Sequence, residues 1–308
     1  MLVLTTERLR LRWFEPADAP HVLEQLLEPS WIANIRDPGV HDLDAARRWM
    51  EEKLFAGYWS AGLGLWAVER ASDGVLLGMC GLLQRDYLPA PDIGYAFLPR
   101  FWGQGYAREA AAGCLLYAQE VLGQSRLYAT TAPENQASQK VLLGLGYRYQ
   151  EDLALDGYAG VTKLFVWGGG GPERSEETRI KDRLMRFYRA FNNRAGRLPN
   201  VSALPFWLMP RAMINRSETA GLQWVDLRDF MRQRYELLGP GGRLQDYEEI
   251  VSTKRLEMHG RIAHVWLRYQ QQGRLDGRHF SAQGVKSLQL IKLAEGWKIA
   301  ALASEALV

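Results

Sequence analysis

The sequence predicts two domains in tandem, an α/β domain followed by an α+β domain, and three observations carry that reading. The 308 residues exceed the usual size of a single hydrophobic core. A glycine-rich break, WGGGGPERSEE at 167–177, separates two patterned regions. Before the break, strand and helix periodicities alternate; after it, two helical patterns precede a long β-rich stretch. The expected boundaries are 1–168 for the first domain, 169–177 for a flexible linker and 178–308 for the second domain.

The first domain opens with ERLRLRWF, where Leu9, Leu11 and Trp13 alternate with arginines at strand period. Asp18 is expected to cap a helix whose apolar stripe is Val22, Leu23, Leu26 and Leu27. A second helix over DLDAARRWMEEKLF carries Leu43, Ala46, Trp49, Met50 and Leu54. Three β-rich runs follow: LGLWAVERA and GVLLGMCGLLQ, joined by a turn at Ser72, Asp73 and Gly74, and then DIGYAFLP. A glycine stretch leads into a helix with Ala107, Ala111, Cys114, Leu115 and Ala118 on one face. RLYATTA then reads as a strand, NQASQKVLLGLGY as a helix ending at Gly146, and a further strand closes the domain.

In the second domain, KDRLMRFYRAFNNRAGR places Leu184, Phe187, Tyr188 and Phe191 at helical spacing, with five arginines on the other faces. This fits an amphipathic helix covering a sheet. A nucleic-acid helix is the other reading of those arginines, and a net charge of only +3 weighs against it. LRDFMRQRYELL reads as a second helix. Two hairpins complete the pattern, one turning at His259 and Gly260, the other near Glu295 and Gly296.

A hydrophobic content of 47% with 24% charged residues excludes a disordered chain and gives only a mild basic bias toward anionic ligands. Glu7, Arg8, Arg10 and Arg12 fall where a signal peptide would need its apolar region, and no uncharged run reaches membrane-spanning length, so a cytoplasmic location without a membrane partner is expected. Cys80 and Cys114 lie in apolar surroundings without a CxxC pair, and are expected as buried reduced thiols rather than metal ligands or a disulfide framework. The histidines at 259, 264 and 279 follow no ligand spacing, so no metal is expected.

The stretch RFWGQGYAREAAAG at 100–113 places glycines between a strand and a helix. A helix start presents unpaired N–H groups and the positive end of the helix dipole, which suits a pyrophosphate. Gly103 and Gly105 would let the backbone approach closely, and Arg100 would add positive charge. A lone GxG also occurs in ordinary turns. The dinucleotide fingerprint would need glycine at Arg108, and the phosphate-loop pattern is absent.

Here the sequence resembles the GCN5-related N-acetyltransferases (GNAT), whose acetyl-CoA loop reads Q/R-x-x-G-x-G/A; Arg100, Gly103 and Gly105 fit it in register. The resemblance runs from TTERLRLR through WGQGYAREA to ENQASQKVLLGLGY and is most similar to the branch containing the ribosomal-protein alanine acetyltransferases. It implies a mixed central sheet flanked by helices and acetyl-CoA as co-substrate. The amides of Phe101, Trp102, Gly103, Gln104, Gly105 and Tyr106 would hold the pyrophosphate, and Asn135 the pantetheine arm. A splayed strand ending in Tyr95, Ala96, Phe97 and Leu98 would bind the pantetheine and polarise the thioester carbonyl through a backbone N–H.

The chemistry needs an amine to lose its proton, attack the thioester and expel a thiolate. Many family members have a tyrosine seven residues after the helix asparagine; here Leu142 stands there. Ser138, one helical turn after Asn135 and on the same face, is the substitute acid or thiolate partner, a plain surface serine being the alternative. Asp92 is the first choice of base, with Glu51, Glu52 or water as others. Glu109 is assigned to the helix dipole.

The second half resembles the NTF2-like (SnoaL-like) cone domains in RFYRAFN, GRIAHVWLRY and LQLIKLAEGWKI. That resemblance implies a pocket and pairing through the sheet. His264, Trp266 and Arg268 share one strand face and would line either. The expected function is N-acetylation of a primary amine, a protein N-terminus or a small molecule, with the C-terminal domain serving dimerisation or substrate selection and a homodimer through it expected. A non-catalytic acetyl-CoA sensor and a small-hydrophobic-ligand binder are the alternatives.

Overall fold

Alternation of buried Leu9 and Leu11 with Arg10 and Arg12 does place a strand at the start of the chain, and an antiparallel partner precedes it. The computed structural model describes residues 1–154, 160–169, 174–218 and 221–307. These fall into two units, Met1–Tyr58 with Leu63–Pro172, and Trp59–Gly62 with Glu173–Val308. Residues 170–173 of the expected linker lie outside the described residues.

The first unit begins with β1 (Leu2–Thr5) and β2 (Leu9–Arg12), followed by α1 (Ala19–Leu27), α2 (Pro29–Asn34) and α3 (Leu43–Met50). A π-helical turn, Glu51–Phe55, continues α3 into α4 (Ala56–Ala61). Then come β3 (Gly64–Arg70), β4 (Leu76–Leu83), β5 (Asp92–Phe97), α5 (Tyr106–Glu120), β6 (Arg126–Thr131), α6 (Gln136–Gly144), β7 (Arg148–Ala154) and β8 (Val161–Gly168). Sheet order is β1-β2-β3-β4-β5-β6-β8-β7, with a parallel pair only at β5–β6. Two strands, rather than one, follow α6, the second inserted between β6 and β7.

Asp18 occupies the N-cap of α1 without capping it through its side chain. Its buried carboxylate instead accepts two hydrogen bonds from Arg12, at 2.7 and 2.9 Å, and one from the Glu15 amide. A charge-assisted bidentate pair is stronger than a single amide bond at a helix end, so the pair wins the carboxylate. Cys80 of β4 and Cys114 of α5 are fully buried free thiols with sulfurs 3.5 Å apart.

The second unit contains α7 (Glu176–Arg189), α8 (Leu204–Trp207), β9 (Leu208–Glu218), β10 (Gly221–Val225), α9 (Leu227–Leu238), β11 (Leu244–His259), β12 (Ile262–Leu275), β13 (Arg278–Leu293) and β14 (Gly296–Leu307). Ser175 caps α7 by accepting from the Thr178 amide. The hairpins turn where the glycines predict, after His259 and before Gly296. The β9–β10 hairpin lies between the helices, so helices do not all precede strands. β9 pairs parallel with β14, and the order β10-β9-β14-β13-β12-β11 makes a mixed sheet.

Candidate functional site

β5 and β6 touch at one register position only, Asp92 opposite Tyr128, where the Tyr128 amide donates to Pro91 O. Beyond it the strands part. On its other edge β5 pairs fully with β4, and the Leu98 amide donates to Leu77 O. Backbone groups alternate sides along a strand, so Leu98, Ala96 and Gly94 turn theirs toward β4 while Tyr95 and Phe97 turn theirs into the fork.

This removes Ala96 and Leu98 from the strand residues read as cofactor contacts and leaves Tyr95 and Phe97. Leu98 is a fully buried core residue with its amide already bonded, and Ala96 spends its backbone on β4. The Phe97 carbonyl accepts from the Trp102 indole at 2.7 Å. The backbone N–H groups of Tyr95 and Phe97 face the opening.

The glycine loop lies just beyond the fork. Gly103 (φ 72°) and Gly105 (φ 80°) are both left-handed, and Gly105 is the N-cap of α5. Side-chain-bearing residues pay about 1–2 kcal/mol for that conformation, which accounts for glycine at both places. The amides of Phe101 and Trp102 donate to Leu98 O and Pro99 O in turns, so they are spent. The amides of Tyr106, Ala107 and Arg108 begin the helix and have no intrahelical acceptor. Of the amides expected to face an anion, those of Phe101 and Trp102 are therefore taken, while the helix start adds those of Ala107 and Arg108.

Arg100 does not bring a free charge to this loop. Its guanidinium pairs with Glu24 of α1 and lies over the Phe101 ring. The Arg100 bond holds the Glu24 carboxyl below its usual range. Arg8 is the cation at the loop: Nη1 donates to Gln104 O at 3.1 Å, and the guanidinium lies over the Tyr106 ring. Glu109 anchors Arg8 and accepts from Thr6 Oγ1 at 2.6 Å. Burial opposes ionisation of Glu109, but those hydrogen bonds prevail and keep its pKa low.

Across the fork, Asn135 caps α6, its Oδ1 accepting from the Ser138 amide at 3.0 Å. Its carboxamide N–H groups have no acceptor among the described residues and are the part able to donate to a ligand. Ser138 is half-buried, and Tyr95 Oη lies 2.9 Å from its Oγ and 3.1 Å from its carbonyl oxygen. Leu142 is 1% exposed, an apolar core contact.

Asp92 is 2% exposed and three residues before Tyr95, so its side chain lies on the opposite face of β5 from Ser138. Burial raises its pKa to about 6 against the opposing Arg85 guanidinium, whose Nε is 3.3 Å away. Arg85 belongs to the loop between β4 and β5, where Leu88 packs with Tyr128 and Leu164. Glu51 and Glu52 are exposed in the π turn. Among the described residues no group of three or more His, Cys, Asp or Glu is arranged to hold a metal ion, and no helix is long and apolar enough to cross a membrane.

Arg8 and Arg85 were missed by residue type alone, and Tyr95 was read only for its place in the strand, not for its side-chain contact with Ser138. A tyrosine in an apolar strand reads as core, and an arginine in an alternating strand reads as its solvent face. Only the parity of β5, set by where it leaves β6, distinguishes Tyr95.

In the second unit, Lys286 forms a buried ion pair with Glu249 and lies 4.6 Å from the centroids of the Tyr188 and Tyr269 rings. Tyr247 Oη is 2.9 Å from Glu249 Oε2. These groups leave an interior cavity of about 30 Å³. His264, Trp266 and Arg268 lie on the other face of β12 from buried Val265 and Leu267, away from this interior. His264 Nε2 is 2.9 Å from Ser287 Oγ on the adjacent strand.

A mixed sheet forked between two parallel strands, with a glycine loop and a helix N-terminus at the fork, defines the class as an acyl-CoA-binding transferase fold. Residues 8–148 match the family described as an acetyltransferase (GNAT) domain. The chain is 32% identical over 154 residues to YkkB of Bacillus subtilis, an uncharacterised protein, spanning 49% of this chain and 87% of the relative. It is 26% identical over 174 residues to the B. subtilis N-acetyltransferase YoaA, itself uncharacterised, covering 55% and 91%. The solved ribosomal-protein-S5-alanine acetyltransferase of Vibrio fischeri is similar at 16% identity and a TM-score of 0.47, over 56% of this chain and 100% of that one. The chain belongs to the GNAT acetyltransferase family through its N-terminal half. It is an acetyltransferase of the kind that takes its acyl group from acetyl-CoA.

Proposed function

We propose that the first unit transfers the acetyl group of acetyl-CoA to a primary amine, a protein N-terminus or a small molecule. The carrying observation is the opening at Tyr95, whose backbone N–H points into the fork while Asn135 and Ser138 stand over it. Acetyl-CoA would lie with its pyrophosphate on the amides of 103–108 and its thioester carbonyl at the Tyr95 N–H, an oxyanion-type donor. The amine nitrogen bonds to the carbonyl carbon, the C–S bond breaks with its electron pair left on sulfur, and an amine proton goes to a base. Ser138 donates a hydrogen bond to the departing thiolate. Asp92, on the other face of the strand, is the base candidate for an acceptor arriving from the side of the Arg85 loop.

The second unit reads as an NTF2-like domain, supported by two helices packed on a mixed sheet whose first strand runs parallel to its last. The cavity of about 30 Å³ beside Lys286 and Glu249 holds about one water, which favours pairing or substrate selection over ligand storage at that place. We place the enzyme in the cytoplasm as a homodimer, with neither nucleic acid nor membrane as partner.

Thiol release from acetyl-CoA is the test, measured with N-terminal peptides, polyamines and amine-bearing antibiotics. Turnover with one amine class identifies the acceptor. Tight acetyl-CoA binding with no thiol release from any amine would replace the enzyme reading with that of a sensor, a role the apolar Leu142 permits.

A further inference from the structure

We propose that Tyr95 is a positioning residue for acyl transfer, its phenol orienting the Ser138 hydroxyl toward the sulfur of the departing thiolate. This rests on the acyl-transfer reading above. Three observations on β5 and α6 carry it.

The first is distance. Tyr95 Oη lies 2.9 Å from Ser138 Oγ and 3.1 Å from Ser138 O, so one phenol engages both polar oxygens of the serine. A serine hydroxyl otherwise rotates among several acceptors, including the carbonyl one turn back on its own helix. The phenol has one hydrogen: while it goes to the Ser138 carbonyl, the serine hydroxyl donates to Tyr95 Oη, and when it turns to Ser138 Oγ the serine's own hydrogen is left to donate to the sulfur. Because the Asn135 Oδ1 bond fixes the Ser138 amide, backbone and side chain of this residue are both held.

The second is the geometry of the strand. Tyr95 turns its backbone N–H into the plane of the fork and its side chain out toward α6. One residue therefore touches both places where charge develops, the carbonyl oxygen through its N–H and the sulfur through Ser138. A shift of Tyr95 would move both donors together, which keeps their separation matched to a thioester.

The third is substitution by chemistry. The helix position where many relatives supply a phenol is Leu142, packed in the core. A strand phenol, Tyr95, reaches the same helix one turn earlier, at Ser138. It need not give up its proton. Burial raises the Tyr95 pKa above its ordinary value, so the group stays a donor through turnover. The C–S electron pair remains on a hydrogen-bonded thiolate, which takes its proton from water on release.

Tyr95→Phe keeps the ring and removes only the hydroxyl. The expected result is a kcat at least tenfold lower under conditions where chemistry limits turnover, with KM for acetyl-CoA changed less than about twofold. Ser138→Ala should lose as much or more, and the double variant should be no worse than Ser138→Ala alone, because the phenol acts through the serine. Ser138→Thr, which keeps a hydroxyl, should retain sensitivity to Tyr95→Phe. Thermal melts and acetyl-CoA binding of each variant identify losses caused by misfolding, and the cycle is then run below the lowest melting range.

An unchanged kcat in folded Tyr95→Phe overturns the role while leaving acyl transfer intact. So do losses that multiply in full in the double variant, which would mean the two hydroxyls act independently. A wild-type chain that binds acetyl-CoA yet acetylates no amine overturns the acyl-transfer reading first and this role with it.

Discussion

Asp92 shows how far one buried side chain can be read. Its carboxyl is enclosed, and desolvation outweighs Arg85, raising its pKa from 3.8 to about 6. A carboxyl whose folded pKa exceeds its unfolded value stabilises the fold while protonated. That contribution is whole below about pH 4 and lost as pH rises through about 6, amounting to about 3 kcal/mol. Asp92→Asn should therefore flatten the stability profile between pH 4 and 7 and leave the variant the more stable at neutral pH, as denaturant titrations at several pH values would show. If Asp92 is the base, kcat/KM in the wild type should fall on the acid side with a midpoint near pH 6, and the variant should lose both that limb and most activity. A wild-type profile flat through pH 6 would return the role to water. Asp92 was legible as a candidate because a carboxylate beginning an apolar strand is conspicuous. Its placement opposite Ser138 across the strand was not, since that depends on Tyr95, three residues on, meeting α6 at Ser138. Arg100 was misread for a similar reason: its partner, Glu24, lies 76 residues away.

At the scale of elements, the loop before α5 was the most legible feature, because its glycines are required by local backbone geometry. Both positive-φ positions fall where the motif places them. Gly105→Val should lower acetyl-CoA affinity at least tenfold, or about 1.4 kcal/mol. An added Cβ would meet Arg8 Nη2 at only ordinary contact distance, so the loss comes from forcing a β-branched residue into a left-handed N-cap and crowding the anion. Calorimetry on a folded variant showing wild-type affinity would detach the loop from the cofactor. The β9–β10 hairpin shows the limit of local signals. Its residues show no clean alternation, since β9 is central, pairs β14 in parallel and β10 antiparallel, and lies among partners remote in sequence. A strand defined by such partners has little to announce it locally.

At the scale of the whole molecule, the outer face of the second unit's sheet bears on why the two units share a chain. Trp266, Ser287, Ala303, Asn215 and Trp224 form one row across five strands, on the face opposite buried Leu267, Leu288 and Leu302. Trp224 is 66% exposed, Ile262 61% and Met213 56%, in a sheet whose other face already carries the helices. Large apolar groups aligned on a sheet surface are stable in water only at a cost that a second copy of the same row would relieve. Cleavage near residue 170 should give two soluble pieces, each larger than the size at which single domains become marginal. The 1–168 piece should keep acetyl-CoA binding, because every loop and helix residue assigned to the cofactor lies within it. The 178–308 piece should self-associate, and Met213→Glu with Trp266→Glu should render it monomeric without unfolding it, since both side chains stand clear of the core. Light scattering decides between the roles of the second unit. A dimer broken by those charges fixes it as the pairing surface, whereas a wild-type fragment that is monomeric at tens of micromolar refutes pairing and leaves substrate selection as its task.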